Sequence, residues 1–274
     1  MSEPVDGPAI VLIHGWSQSL DCWDRLFEGP LARQANLVAY DLRGHGRSDA
    51  PVGADHYSAG ERWADDLTAV IDQCCPAGGP LVLAAWSYGG FIVSDYLRHR
   101  ASASGRPLAG IAFIGASVTL DEAQVPHFLA PAFPPLAERA ASDDAAEAEA
   151  AIREFVALCP AEPLAPATLD AIVATNLLTR PDVRAALGDR VVRSDEVLGD
   201  LDVPVLVIQG LQDPIVLPAT AVAIAAACPR AEVIEYKDVG HLPMIEAPER
   251  LAADLARFAT TSSAGVRPLR GSHP

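Results

Sequence analysis

Six short apolar runs alternate along this chain with longer segments in which apolar residues recur at helical spacing. Strands buried on both faces carry continuous apolar runs, and the helices between them cover both faces of a parallel sheet. The alternation therefore predicts an α/β fold with a mostly parallel sheet and helices on both faces. The six predicted strands run from Ala9 to Ile13, Leu37 to Tyr40, Leu81 to Ala85, Leu108 to Ile114, Val203 to Gln209 and Ala231 to Tyr236.

The segments between these runs predict the helices. Ser58 and Glu61 have the spacing of a capping box, and an apolar stripe at helical spacing follows them. Apolar periodicity and capping residues indicate four further helices. These run from about Asp21 to Ala32, Gly90 to His99, Pro218 to Ala227 and Pro248 to Phe258, and the stripe after Ser58 consists of Trp63, Leu67, Val70 and Ile71.

The alternation is interrupted once, between Ser117 and Asp202, where prolines separate Ala-rich and acidic helical stretches. Asp143 and Asp144 lie where carboxylates favour a helix start, and the acidic tract 143–149 is expected to be a solvated helix face. We expect a helical cap (118–201), a core (1–117 and 202–262) and a flexible tail (263–274). The apolar stripes of the cap helices are Ile152, Phe155 and Val156, and Leu169, Ile172, Val173 and Leu177.

Composition and charge argue against several classes of function. The 274 residues carry a formal net charge of −16, which disfavours nucleic acid as a partner. No apolar stretch approaches the roughly 20 residues that span a bilayer, and no signal peptide pattern begins the chain, so we expect a cytoplasmic protein without a membrane partner. The five scattered cysteines suggest neither disulfides nor a zinc site. No phosphate-binding loop occurs, and Asp49 replaces the third glycine of a dinucleotide motif.

The segment VLAAWSYGGFIV, residues 82–93, places one hydroxyl at the end of an apolar run and directly before two glycines. A strand that turns sharply into a helix exposes the turn residue, Ser87, at the carboxyl edge of the sheet, where α/β folds bind ligands. Ala85, Gly89 and Gly90 permit the strained backbone, and the helix start directs free N–H groups to this point. An ordinary turn serine is the alternative interpretation.

A serine is a poor nucleophile near neutral pH unless a base takes its proton and an acid orients that base. Two later strand ends supply both groups. Asp213 follows the fifth predicted strand, and His241 follows the sixth. Asp121, near the end of the fourth strand, is the alternative carboxylate.

The loop after the first strand offers a site for developing negative charge. Gly15 permits a turn in which the backbone amide of Trp16, together with that of Tyr88, binds an oxyanion. The side chains of Trp16 and Tyr88 belong either to the pocket or to the core, and that of Trp86 is expected in the core. Structural roles are expected for the other polar residues near this edge, namely His14, Arg43 and His45.

Five motifs follow one another in a characteristic order: HGW at 14–16, DLRGHGRSD at 41–49, AWSYGG at 85–90, GLQDPIV at 210–216 and GHLPMIEAPE at 240–249. Together they resemble the α/β-hydrolase-fold family, in the group that carries a cap domain. The resemblance implies that Ser87 is the nucleophile, His241 the general base and acid, and Asp213 the orienting carboxylate. It also implies that the amides of Trp16 and Tyr88 form the oxyanion hole, and that no metal or organic cofactor is needed.

The chain departs from the family pattern in two ways. Ala85 stands where the nucleophile motif usually begins with glycine, and only eight residues precede Ala9, so the family's N-terminal strands are expected to be missing. The strand from Leu37 to Tyr40 would then lie at an edge of the sheet, where a second copy of the chain could pair with it as a homodimer.

Within the family, HGW and GHGRSD are similar to cofactor-free haloperoxidases and perhydrolase-like esterases, and Trp86 is similar to a residue of some acyl-homoserine lactonases. A serine at position 87 argues against dehalogenases and epoxide hydrolases, which need an aspartate nucleophile. We therefore expect a serine hydrolase of small-molecule esters or lactones. The alternatives are a peroxide-using enzyme, a cofactor-free oxygenase or lyase that uses His241 as a base, and a ligand-binding module. The candidate pocket residues are Trp16, Tyr88, Phe128, Leu129 and Phe133.

Overall fold

In the computed structural model, which describes residues 5–76, 78–100, 107–119, 123 and 125–264, six strands form one sheet. Neighbouring strands are all parallel, in the order β2-β1-β3-β4-β5-β6. The strands are β1 (Ala9–Ile13), β2 (Asn36–Ala39), β3 (Leu81–Trp86), β4 (Leu108–Ile114), β5 (Val205–Gly210) and β6 (Ala231–Tyr236). The predicted fold and all the predicted strands are confirmed.

The described residues also contain thirteen α-helices, and none of them has the length and apolar character needed to cross a bilayer. The helices are α1 (Asp24–Glu28), α2 (Asp55–Ser58), α3 (Gly60–Cys74), α4 (Gly89–His99), α5 (Val125–Phe128), α6 (Phe133–Ala140), α7 (Ala145–Leu158), α8 (Pro166–Leu177), α9 (Pro181–Gly188), α10 (Asp195–Gly199), α11 (Ala219–Ala227), α12 (Pro243–Glu246) and α13 (Pro248–Ser263).

Two sequence predictions about helices are wrong. Residues 21–32 do not form one helix, because Gly29 is extended and Pro30, which has no N–H, follows it. Short 3₁₀ segments flank α1 instead. Ser58 does not cap α3 either: it ends α2, and Ala59 occupies the N-cap position without a side-chain hydrogen bond.

Helices cover both faces of the sheet. On one side α4 packs against β3 and α3 against α4, and on the other α13 packs against β4 and α1. The sheet ends at β2, as predicted, and at β6. Because every strand runs in the same direction, the loops that follow β1, β3, β4, β5 and β6 all emerge at one side, the carboxyl edge of the sheet.

Helices α5–α10 lie between β4 and β5 and form the helical insertion, the name used below for residues 125–201. The Asp144 carboxylate caps α7 by accepting the N–H groups of Ala146 and Glu147 at 2.9 and 3.3 Å, as the sequence indicates. The first predicted stripe is buried. The second is only partly so: Val173 is buried, whereas Leu177 is 37% exposed.

The last described helix is longer than predicted. Helix α13 continues to Ser263, five residues beyond the predicted end at Phe258, and Ser262 is buried. Most of the predicted flexible tail, residues 265–274, lies outside the described residues.

Candidate active site

The turn between β3 and α4 carries Ser87 in a left-handed backbone conformation, with a φ of +53°. Glycines 89 and 90 allow the chain to turn this tightly. A Cβ at Gly89 would lie 2.6 Å from the carbonyl oxygen of Ile13, and one at Gly90 would lie 2.3 Å from that of Ser117. The strained turn thus depends on backbone packing that excludes larger residues.

Three side chains from separate loops form one hydrogen-bonded series at the carboxyl edge. His241 Nε2 lies 3.0 Å from Ser87 Oγ, and His241 Nδ1 lies 2.7 Å from Asp213 Oδ2. With a neutral imidazole, Nδ1–H donates to the carboxylate and Nε2 accepts the serine hydroxyl. The side chains of His241 and Asp213 are almost completely buried, at 1% and 0% exposure.

The second carboxylate oxygen of Asp213 is held by its own loop. Asp213 Oδ1 accepts the backbone N–H groups of Ile215 and Val216 at 2.8 and 2.9 Å. Both hydrogen bonds are made within the loop after β5. This loop therefore fixes the orientation of the carboxylate independently of His241. Gly115, at a φ of +46°, leaves room for the pair, since a Cβ there would lie 3.2 Å from Asp213 Oδ2.

The loop that carries His241 is held by a carboxylate that the sequence analysis missed. Glu246 Oε2 accepts the N–H groups of Gly240 and Ala161 at 2.9 and 2.8 Å, and Oε1 accepts that of Leu242 at 2.9 Å. The acidic residue five positions after His241 in an apolar segment was the available signal. Glu246 therefore ties the His241 loop to the helical insertion.

Two further contacts orient His241 through its own backbone. Its N–H donates to the carbonyl oxygen of Cys159 at 2.8 Å, and its carbonyl oxygen accepts Trp86 Nε1–H at 2.8 Å. Burial raises the pKa of the Cys159 thiol, followed in effect by the charges of Asp213 and Glu246, so this thiol stays neutral. Trp86 is buried in the core, supports the His241 loop and also lines the cavity described below.

The amides expected to bind an oxyanion are available. Neither the Trp16 nor the Tyr88 backbone N–H donates to any residue that the structure describes. Tyr88 precedes α4, in which the N–H groups of Gly90 and Phe91 already donate to the carbonyl oxygens of Ser87 and Tyr88. Both residues are buried, so an anion at this position would be largely shielded from water.

His14 and His45 have the structural roles that the sequence predicts. His14 Nε2 accepts the Leu42 N–H at 3.0 Å while Nδ1 contacts the Gly15 carbonyl at 2.9 Å. His45 Nε2 accepts the Ser17 N–H at 3.2 Å while Nδ1 contacts the Arg43 carbonyl at 3.0 Å. Burial lowers the pKa of His14 to about 4 and that of His45 to about 3, so both rings are neutral near pH 7.

A cavity of about 700 Å³ opens onto Ser87 and His241. It lies between the carboxyl edge and the helical insertion. Four of the five expected pocket residues line it, namely Trp16, Tyr88, Leu129 and Phe133. Phe128 does not: it is half-buried, and its carbonyl oxygen accepts hydrogen bonds from Leu217 and Thr220 next to α11. The alternative carboxylate Asp121 lies outside the described residues.

The cavity wall is mainly apolar. Trp16 packs edge to face against Phe133 and Phe155, whose own rings are tilted at 52° to each other, and all three pairs of ring centroids are 5.4 to 5.6 Å apart. Two buried arginines of the insertion, which the sequence analysis missed, reach the carboxyl edge: Arg184 contacts Ser17, and Arg190 contacts Tyr88. A charged residue on the apolar stripe of α9 was the available signal for Arg184.

The described residues hold no cluster of three or more His, Cys, Asp or Glu side chains that could bind a metal ion. No disulfide joins any of the five cysteines, all of which lie within the described residues. The candidate site brings together a serine hydroxyl, an imidazole and a carboxylate beside an apolar cavity, with the Trp16 and Tyr88 amides nearby in the chain segments that line it. This set of groups can transfer an acyl group through the serine.

The chain is similar to solved structures and to curated proteins. The crystal structure of the esterase RhEst1 from Rhodococcus sp. ECU1013 superposes with a TM-score of 0.84 at 32% identity, covering 95% of this chain and 93% of that one. Pimeloyl-[acyl-carrier protein] methyl ester esterase of Stenotrophomonas maltophilia is 28% identical, over 94% of this chain and 95% of that protein.

A third relative is much longer than this chain. "Probable oxidoreductase EphD" of Mycobacterium tuberculosis is 31% identical over 97% of this chain, which spans only 48% of that protein's length. The model of the Alpha/beta hydrolase family matches residues 10–254. The fold, the motifs and this match agree, and the chain belongs to the α/β-hydrolase family.

Proposed function

We propose that this chain is a serine carboxylic-ester hydrolase that acts through an acyl-enzyme on Ser87. The observation that carries the proposal is the contact of 3.0 Å between Ser87 Oγ and His241 Nε2, with Asp213 behind the imidazole at 2.7 Å. A neutral imidazole so placed can take the hydroxyl proton as the serine attacks.

In the first half of the reaction, Ser87 Oγ attacks the ester carbonyl carbon and its proton moves to His241 Nε2. The carbonyl oxygen becomes the oxyanion of a tetrahedral intermediate. When the intermediate collapses, the imidazolium returns the proton to the leaving alcohol oxygen, and the acyl group remains on Ser87. Asp213 stabilises the imidazolium but keeps its own charge.

In the second half, a water molecule replaces the alcohol. His241 takes one water proton while the oxygen attacks the acyl carbon. As the new tetrahedral intermediate collapses, the bond between Ser87 Oγ and the acyl carbon breaks and the imidazolium returns the proton to Oγ, which releases the carboxylic acid and free Ser87. The Trp16 and Tyr88 amides would bind the oxyanion in both intermediates. One such donor typically contributes on the order of 3 kcal/mol to transition-state stabilisation.

The proposed substrate is a neutral ester or lactone with an apolar acyl or aryl group. The aromatic side chains of Trp16, Phe133 and Phe155 line the cavity and support this choice. The helical insertion would act as the cap that encloses the acyl group. The esterases named above, which are similar over most of their length, also support ester hydrolysis.

The test is a panel of short-chain 4-nitrophenyl esters and acyl lactones, assayed with the wild type, Ser87→Ala and Ser94→Ala. Ser94 is the matched control, because its buried hydroxyl lies in α4 and donates to the Gly90 carbonyl. We expect turnover by the wild type and Ser94→Ala, and a loss of at least about 10⁴-fold in Ser87→Ala.

Two outcomes would contradict the proposal. If Ser87→Ala kept most of the wild-type rate, His241 would act as a base without a serine nucleophile, as in an oxygenase or lyase. If acetate and hydrogen peroxide gave peracid faster than any ester was hydrolysed, peroxide would replace water as the acceptor.

A further inference from the structure

Two arginines of one short stretch of the insertion, Arg184 in α9 and Arg190 just after it, are buried at 3% and 4% exposure. Each reaches a different loop of the carboxyl edge. Those loops carry Trp16 and Tyr88, whose amides are the two oxyanion donors of the proposed function. Arg190 does not line the cavity, so it can act on the site only through the residues that it binds. Arg184 also lines the cavity, next to the loop that it holds.

Arg184 holds the loop that follows Trp16. Its Nε–H donates to Ser17 Oγ at 3.0 Å, and its two other nitrogens donate to the carbonyl oxygens of Ala140 at 2.6 Å and Asn176 at 2.9 Å. Ser17 is completely buried and has a φ of +60°, which is unusual for a residue with a side chain. Contacts from the insertion thus fix the strained residue next to Trp16.

Arg190 holds the other donor residue. Its Nη1–H donates to the Tyr88 hydroxyl at 3.1 Å, and Nη2–H binds the buried Asp95 carboxylate of α4. The guanidinium carbon lies 5.1 Å from the centre of the Trp63 ring and 5.8 Å from that of Tyr88. The phenol of Tyr88 is therefore fixed from the insertion side, directly above the turn that presents its amide.

The two guanidinium groups differ in the charge of their hydrogen-bond partners. Arg190 has Asp95, whereas Arg184 has only neutral oxygen partners among the described residues. Burial lowers the pKa of Arg184 to about 10, so it remains charged near pH 7. A buried cation without a carboxylate is costly for stability, which favours a role that a neutral side chain could not fill.

We propose that Arg184 and Arg190 are positioning residues that hold the two oxyanion donors, one through Ser17 and one through Tyr88. An oxyanion hole works because its donors are oriented before charge develops. Loosening either residue should weaken binding of the transition state more than binding of the substrate. The inference rests on the proposed function and adds the residues that couple the insertion to it.

The experiment compares Arg184→Met and Arg190→Met with Arg180→Met, a matched control. Arg180 also belongs to the insertion, and it donates to the Ala50 carbonyl, which lies outside the insertion, at 2.6 Å. It contacts neither Trp16 nor Tyr88. We expect kcat to fall about 10- to 100-fold in the first two variants, with KM within threefold of the wild type, and no change in Arg180→Met.

An alkyl trifluoromethyl ketone provides the second readout. Ser87 Oγ adds to its carbonyl carbon, the serine proton moves to His241, and the ketone oxygen becomes an oxyanion bound by the two amides. Its inhibition constant should rise in proportion to the loss of kcat/KM. The alcohol with the same alkyl chain forms no adduct and should bind equally to all variants.

Smaller changes keep the proposal falsifiable if the methionine variants do not fold. Ser17→Ala and Tyr88→Phe remove only the hydroxyls that the arginines bind, and we expect a kcat loss of at least about fivefold from each. Arg190→Lys, which can still reach Tyr88, should recover part of the kcat lost in Arg190→Met.

The outcomes separate this inference from the proposed function. If the wild type hydrolyses esters and Ser87→Ala does not, but the arginine and hydroxyl variants keep kcat within twofold, only the positioning role is overturned. Equal weakening of the ketone and the alcohol would also overturn it, since that result indicates a loosened cavity. Absence of serine-dependent ester turnover in the wild type would overturn the proposed function and the positioning role together.

Discussion

The carboxyl edge of the sheet and the helical insertion meet at the cavity, but they hold their residues in different ways. At the edge, the contacts of Asp213 and Ser87 are local: Asp213 accepts amides two and three residues further on, and Ser87 lies in the turn into α4. The insertion acts over long distances, because 167 residues separate Arg184 from Ser17 and 102 separate Arg190 from Tyr88.

This difference indicates a division of labour. Local contacts place Ser87 and Asp213, whereas the backbone of His241 also depends on Trp86 and on Cys159 of the insertion. Long-range contacts place the apolar wall and support the amide donors, and they depend on how the insertion docks. Changes at the edge should therefore affect chemistry most strongly, whereas changes in the insertion should range from moderate to negligible.

The largest effect is expected for Asp213→Asn at the edge. The asparagine amide would face His241 Nδ1 and favour the wrong imidazole tautomer, so kcat should fall on the order of 10⁴-fold with little change in stability. Ester kinetics and thermal melts measure the two effects. Asp238→Asn, exposed in the loop before His241, is the control and should keep full activity. A fall of less than tenfold would show that another carboxylate orients the imidazole.

The second-largest effect is expected at Glu246, which connects the His241 loop at the carboxyl edge to the helical insertion. In Glu246→Gln only one oxygen remains for the three amides that Glu246 accepts, so the free energy of unfolding should fall by about 2 kcal/mol and kcat should fall as well. Urea unfolding measures the stability change, and Glu249→Gln, at an exposed position in α13, is the control. An unchanged urea midpoint would mean that this carboxylate does not tie the insertion to the His241 loop.

A pH effect follows from the buried imidazoles behind the edge. The folded-state pKa values of His14 and His45, about 4 and about 3, lie below the ordinary value of 6.5. Below pH 6.5 the unfolded chain therefore binds more protons than the folded chain. The free energy of unfolding is at its full value above pH 6.5 and falls on acidification toward pH 4. Between pH 7 and pH 5 the loss should be about 2 kcal/mol per ring.

Urea unfolding of His45→Gln at the two pH values checks this prediction. Glutamine can donate and accept hydrogen bonds but does not titrate, so the variant should lose less stability on acidification than the wild type. His127→Gln changes an exposed histidine of the insertion and should match the wild type at both pH values. Identical pH dependence in all three proteins would contradict the assignment to His45.

The smallest effect is expected on the outer surface of the insertion. Arg153 and Asp170 form an ion pair at 2.7 Å, but their side chains are 44% and 63% exposed. Because water screens such pairs, Arg153→Met should change the free energy of unfolding by less than about 0.5 kcal/mol. Urea unfolding measures this change. A loss of more than about 1 kcal/mol in the free energy of unfolding would mean that this exposed pair contributes more than water screening allows.

The same division explains what could be predicted from the sequence. Ser87, Asp213 and His241 follow short apolar runs directly, and the carboxyl ends of parallel strands converge, so their proximity follows from topology. The apolar surroundings of Arg184 and Glu246 in the sequence indicate burial but do not identify their partners, which for Arg184 lie in other elements. No local pattern reports a contact between α9 and the loop after β1.

Smaller errors have local causes. The segment 21–32 has helical periodicity throughout, but Gly29 and Pro30 break it, and proline alone was sufficient warning. Phe128 was expected in the pocket because it is apolar, but apolar character does not specify which way a side chain faces. The short helix α5 packs against α11 and places Phe128 there. Apolar periodicity predicts that a side chain is buried, but it does not identify the residues that the side chain contacts.

Labelling with a fluorophosphonate tests the central claim most directly. Ser87 Oγ should displace fluoride from phosphorus while His241 takes the serine proton, and peptide mapping by mass spectrometry should find one adduct per chain, on Ser87, with ester turnover lost in proportion to labelling. An adduct on another residue, or full turnover by a labelled chain, would contradict the account.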